Sequence, residues 1–151
     1  MSPRRRLLIA FAAVGALMPV VVTACQRASS LGALGEANDA PSRQDVELYG
    51  RVRLPPDAGD LRARLQTFAA KRTLLARFSI APAELPALLA SGGFQVQPAT
   101  PASGELSVAS KPEWWTPEAA RAYVMGTADR AAILIDKDRS DRYVVYLVRH
   151  S

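Results

Sequence analysis

The sequence predicts a single small α+β domain, an antiparallel sheet of four to six strands with one main helix packed on one face. Three observations carry this reading. Residues alternate with a period of two through Val46–Leu54 and Thr73–Ile80, and strand-like segments recur at Ala131–Asp136 and Arg142–Arg149. One segment, Ala81–Ser91, places leucines at helical spacing between a proline and a pair of glycines. Setting residues 1–24 aside leaves 151 minus 24, or 127 residues, enough for one domain and a tail.

Taken in order, Val46, Leu48, Gly50, Val52 and Leu54 alternate with Glu47, Tyr49, Arg51 and Arg53, which predicts a half-buried strand stopped by Pro55-Pro56 and Gly59. Leu61–Phe68 reads in two ways. As a strand it turns Leu61, Ala63 and Leu65 inward; as a helix capped by Asp60 it lines up Leu61, Leu65, Phe68 and Ala69. The short interval before the next strand, with polar Lys71-Arg72 inside it, inclines the reading to a hairpin. Thr73–Ile80 is a central strand. The helix over Ala81–Ser91 has Pro82 in its first turn, Glu84 complementing its dipole, Leu85, Leu88 and Leu89 as an apolar face, and Gly92-Gly93 as its end. Pro86 pushes the regular part of that helix later. Phe94–Ser110 is a long loop. Thr116 as N-cap and Pro117 as first residue predict a short helix to about Tyr123. Ala131–Asp136 and Arg142–Arg149 close the chain as a hairpin around the polar turn Lys137–Asp141.

Charge narrows the partners. The chain carries 19 Lys and Arg against 14 Asp and Glu, a formal +5. Three of the arginines, Arg4, Arg5 and Arg6, lie in the first 24 residues. Without that segment the balance is 16 minus 14, or +2, and the basic residues are dispersed. No nucleic-acid partner is expected from such a surface. The chain has one cysteine and one histidine. A single cysteine excludes an internal disulfide, and the single histidine, His150, sits where a chain end frays, which argues against Ser-His-Asp and Cys–His catalysis and a His-based metal site. No phosphate-binding glycine loop is present.

The N-terminus supplies an address. Arg4-Arg5-Arg6 precede eighteen uncharged residues, Leu7–Ala24, interrupted by Gly15 and Pro19. This is the layout of a secretory signal peptide, and its apolar run is short for a spanning helix of roughly 20 residues. The run ends in Val22-Thr23-Ala24-Cys25, which resembles the lipobox of bacterial lipoproteins at all four positions. The resemblance implies lipid attachment to the Cys25 sulfur, cleavage before Cys25, and acylation, palmitate among the chains, at the new amino terminus. A thiolate is the nucleophile this modification needs. One acyl chain binds a membrane marginally, at about 0.8 kcal/mol per methylene, whereas two or three hold stably. Two other readings are an uncleaved anchor and an ordinary signal-peptidase site near Ala24. Arg4-Arg5-Arg6-Leu7-Leu8 is also similar to a twin-arginine export signal. Residues 25–44, rich in Ala, Ser and Gly, read as a flexible tether with a root-mean-square span of roughly 25 Å. The globular domain is then 45–151.

Within that domain Trp114 and Trp115, bounded by Pro112 and Pro117, are the most distinctive feature. Neighbouring rings on extended backbone point to opposite sides, so one buried and one exposed ring is the expectation. The rings read first as packing that pins the loop to the core; an exposed ring would instead be a stacking platform for a sugar, a peptide or a partner's side chain. Glu113 beside them is a candidate carboxylate, and no second carboxylate can be paired with it from sequence. Glu84, Glu105 and Glu118 are separate carboxylates. Asp136, Asp138 and Asp141 lack the Gly and Glu positions of a calcium loop and read as a solvated turn. The folded part is also similar to small uncharacterised domains of bacterial lipoproteins, through Arg77-Phe78, Trp114-Trp115 and Val144-Tyr146; no catalytic residue follows from that likeness.

The expected function is a lipid-anchored cell-envelope protein on the cell or outer membrane, facing the extracytoplasmic side. Its domain is read as a non-catalytic binding module with Trp114, Trp115 and Glu113 as candidate contacts, Cys25 as the lipidation site, and no metal or cofactor. The alternative is a small envelope enzyme, such as a wall-polysaccharide hydrolase, using Glu113 or another carboxylate.

Overall fold

A computed structural model describes residues 35–97 and 106–151. The expected signal segment 1–24, Cys25, the first part of the expected tether and Glu105 lie outside the described residues. The compact unit runs from Gly35 to Ser151. It is an α+β domain built on one antiparallel sheet of seven strands, one more than the upper expectation. The strands are β1 (Glu36–Asn38), β2 (Gly59–Phe68), β3 (Lys71–Ile80), β4 (Gln95–Gln97), β5 (Tyr123–Ala128), β6 (Ala131–Asp136) and β7 (Tyr143–His150), with helices α1 (Arg43–Gly50) and α2 (Leu85–Gly92). Their order across the sheet is β1-β2-β3-β7-β6-β5-β4.

The last strand is thus central. Leu74 to Ile80 of β3 register with Arg149 to Tyr143 of β7, and Ala131 to Asp136 of β6 register with Arg149 to Val144 on its other side. Alternation sends successive side chains of these strands into two different cores. Leu74, Ala76, Phe78, Ile80, Ile133, Ile135, Val145 and Leu147 face the first; Leu75, Ala132, Leu134, Tyr146 and Val148 face the second. The two helices cover the first face through Val46, Tyr49, Leu85, Leu88 and Leu89, with Val52, Leu54 and Phe94 filling the seams. The segment after residue 105 covers half of the second face.

Val46–Leu54 is not a strand. Its first half is α1, because Ser42 and Asp45 form a reciprocal capping box that starts a helix. The Ser42 hydroxyl accepts from the Asp45 backbone N–H at 3.1 Å, and Asp45 Oδ2 accepts from Ser42 N at 2.9 Å. Val46 and Gly50, four apart, are buried, while Leu48 is 66% exposed, which is a helical pattern and not an alternating one. Arg51 ends α1 in a left-handed conformation (φ 50°) and turns Val52 and Leu54 back into the core. β1 pairs with β2 (Glu36 with Thr67, Asn38 with Leu65), so order begins ahead of Asp45.

Leu61–Phe68 is a strand, the hairpin partner of β3. The helix over Ala81–Ser91 consists of a 3-10 turn at Pro82–Glu84 followed by α2, with Pro86 in its first turn and Gly93 (φ 68°) as its left-handed cap. The short helix after Thr116 is only a 3-10 turn, Pro117–Ala119. β5 was hidden by Gly126 and by Thr127-Ala128. Gly126 has a structural reason, since an added methyl carbon would lie 3.1 Å from the Ile133 side chain and 3.3 Å from the Gln95 carbonyl.

Two tests follow. Phe78→Ala, at a fully buried position, should cost about 3–5 kcal/mol in urea unfolding. The Asp45 carboxyl is held below its ordinary value, chiefly by the hydrogen bond from the Ser42 side chain. A depressed carboxylate adds stability above its unfolded value and loses it as pH falls through the folded one. Ser42→Ala should therefore raise the Asp45 midpoint in an NMR titration and flatten the acid limb of the stability profile.

Candidate functional site

Leu106–Ala120 forms a strap over the β5–β6–β7 side of the second face. Prolines stiffen it at both bends: Pro112 and Pro117 are buried, and the Trp115 backbone N–H donates to the Pro112 carbonyl at 3.0 Å. This bend drives Trp115 into the sheet. Its indole is 1% exposed, stands edge-on to the Tyr146 ring (centroids 5.5 Å apart, planes at 86°), and donates from Nε1 to the Leu106 carbonyl at 3.3 Å. One side chain therefore ties the two ends of the strap together and to the core. The Thr116 hydroxyl, expected as a helix cap, instead lies 3.3 Å from the Tyr146 hydroxyl. The Arg77 guanidinium sits over the Tyr146 ring at 5.9 Å.

The strap does not close fully on the sheet. Between them is a part-open pocket of about 660 Å³. Leu106, Val108, Trp115, Tyr123, Met125 and Leu134 supply its apolar walls, and Ser107, Lys111 and Glu118 its polar rim. Lys111 Nζ and Glu118 Oε1 are 2.6 Å apart across the strap. The hydrogen bond from Lys111 holds the Glu118 carboxyl below the usual carboxylate range. Both groups are about half exposed, so the pair contributes little to stability while keeping the rim neutral.

No family model matches the chain, and no curated protein or solved structure is similar to it.

The expected site residues separate. Trp115 is core and pocket wall. Trp114 is half-buried against the same cluster, with its ring centroid 6.0 Å from that of Trp115. Glu113 is exposed and outside the pocket lining. His150 is exposed at the end of β7, its Nδ1 3.1 Å from the Thr73 hydroxyl. The acidic turn is internally satisfied: Asp138 Oδ1 accepts from Ala122 N, Asp136 Oδ1 accepts from Asp138 N, and Asp141 pairs with Arg139. Among the described residues no group of three His, Cys, Asp or Glu is placed to hold a metal ion. Nothing in the sequence marks Tyr123, Met125 and Leu134 as site residues, because Gly126 masks the periodicity of β5. Once β5 and β6 are in register, Met125 lies opposite Leu134, and Leu134 opposite Tyr146.

A second pocket of about 700 Å³ lies at the seam of α1, α2 and residues 51–56. Two of its polar groups are already engaged, the Glu47 carboxylate by Leu54 N and the Ser91 hydroxyl by Arg53 N.

Trp115→Ala should destabilise the domain by about 3–5 kcal/mol. Trp115→Phe should cost about 1–3 kcal/mol, since the buried Leu106 carbonyl loses its donor. Trp114→Ala should cost less than either. Urea unfolding followed by far-ultraviolet circular dichroism measures all three.

Proposed function

We propose that this protein is a lipid-anchored cell-envelope protein whose domain is a non-catalytic binding module, with its ligand seated in the pocket beside Trp115. The anchor rests on Arg4–Arg6, the apolar run and the Val22-Thr23-Ala24-Cys25 match. The observation that carries the binding reading is the pocket. Its size falls within the roughly 300–1,000 Å³ of small-molecule sites, and it has apolar walls with few polar groups. The chemistry it fits is an apolar or aromatic group bearing at most one charged handle, whether free or displayed by an envelope protein or glycan. Lys111 or Glu118 would meet that handle by exchanging one ionic partner for another. Hydrolysis is less well served. Glu118 is favoured in its ionised form, which suits it poorly as a general acid, and Glu113 stands outside the pocket.

Two measurements test the halves of this reading separately. Cys25→Ser should yield a chain longer by residues 1–24 and without the lipid mass; an unchanged mass would defeat the anchor. A neutral naphthylamine dye should bind the mature chain with enhanced fluorescence and quench Trp115. Ala120→Trp, which fills the pocket from the strap, should abolish that binding while leaving the circular dichroism spectrum unchanged. Undiminished dye binding in a folded variant would remove the pocket from the function.

A further inference from the structure

The two ends of the sheet differ in charge. At one end lie the β2–β3 hairpin tip, the β5–β6 turn and the residue that follows α1. Lys71, Arg72, Arg130 and Arg51 are exposed there, and none of them pairs with a carboxylate among the described residues. Arg149 adds a buried guanidinium at the same end, paired in register with Leu74 and Ala131 and depressed in pKa by burial and by Arg51. The acids at this end are Glu36 and Asp129. The opposite end holds Asp57, Asp60, Asp136, Asp138 and Asp141, offset by Arg121, Lys137, Arg139 and Arg142.

The basic end also carries the most exposed aromatic side chain among the described residues. Phe68 is 64% exposed, and Ala69, Ala70, Lys71 and Arg72 after it are all exposed, so the tip is an apolar knuckle followed by two cations. Both turns at this end place a non-glycine residue in the left-handed region, Ala69 at φ 52° and Arg130 at φ 51°. The chain from Cys25 arrives at this same place. Glu36 pairs with Thr67, and a methyl carbon added to Gly35 would lie 3.2 Å from the Phe68 Cα. From Cys25 to Gly35 is ten residues, a reach of at most about 36 Å. A ten-residue strand such as β2 is itself about 34 Å long. Turning the acidic end toward the lipid would therefore need the intervening chain drawn out almost fully along the domain.

We propose that the β2–β3 hairpin end docks on the anionic phospholipid headgroups of the membrane that carries the Cys25 lipid. This rests on the anchored reading above. Phe68 enters the headgroup layer, Lys71, Arg72 and Arg130 meet lipid phosphates, and the acidic end points away. The anchor supplies proximity, and the hairpin supplies orientation. A negatively charged surface attracts such groups only within about a Debye length, roughly 10 Å, and a tether that enters at this end brings it into that range more readily than the acidic end.

The test uses the mature chain, Cys25–Ser151, which contains the whole compact unit, with its thiol blocked so that no lipid contributes. It should co-sediment with vesicles of phosphatidylglycerol and phosphatidylcholine at low salt, and not with phosphatidylcholine alone. Lys71→Gln, Arg72→Gln and Arg130→Gln should each weaken binding about fivefold, and Phe68→Ser should weaken it further. Lys137→Gln with Arg139→Gln, at the other end, should leave it unchanged. All variants are checked for a native circular dichroism spectrum. Equal sedimentation with both vesicle types, no sedimentation with either, or equal loss in the variant of the acidic end overturns the proposal. The mass of the native mature protein reports separately on the lipid at Cys25, so failed docking and a failed anchor give different results.

Discussion

The structure depends on a sheet that is apolar on both faces. β3, β6 and β7 send alternate residues into two cores, so each face must be covered by something else in a short chain. The helices serve the first face. The second is served by a strap with almost no regular structure, held by what one tryptophan does. Trp115 fills the space above Tyr146, satisfies its own N–H on Leu106, and brings both ends of the strap to the sheet. The backbone inside the strap is kept short of unsatisfied groups by tight turns such as Trp115 N to the Pro112 carbonyl and Ala119 N to the Thr116 carbonyl. A pocket is the natural by-product. A stiff, proline-bounded strap cannot follow the twist of the strands as closely as a helix can ridge into them.

Much of this was legible in the sequence, for identifiable reasons. β3 and the β6–β7 hairpin stood out because their turns and their β-branched and aromatic residues agree with their burial. α2 was marked by Pro82 at one end and Gly92-Gly93 at the other. The errors have equally local causes. Val46–Leu54 alternates as cleanly as a strand, but the Ser42–Asp45 cap imposes a helix, and the left-handed Arg51 lets Val52 and Leu54 return to the core with the same parity. β5 was obscured by Gly126, which is small because Ile133 and the Gln95 backbone crowd it. β1 and β4 have three residues each, too few for periodicity to register.

The candidate site was half legible. Composition drew attention to Trp114 and Trp115; the expectation was one buried and one exposed ring, whereas Trp115 is fully buried and Trp114 half-buried against the same cluster. The role of the buried ring is the reverse of a platform, since it forms a wall. Its companions Tyr123, Met125 and Leu134 come from β5 and β6, and only strand register brings them together. Likewise the charge asymmetry is invisible in a chain whose basic residues look dispersed. It emerges because antiparallel turns gather Lys71, Arg72 and Arg130 at one end and the aspartates of the opposite turns at the other.

β7 follows every other strand in sequence and lies between them in space. β2–β3 and β5–β6 can form as local hairpins, but nothing joins them until Tyr143–His150 slots between β3 and β6. A chain that emerges N-terminus first cannot complete this sheet before that strand is free. The topology itself thus postpones completion of the sheet until the end of the domain is released. The same arrangement makes late truncation costly, because a chain ending before Tyr143 would present two long apolar half-sheets with facing open edges, a ready template for aggregation.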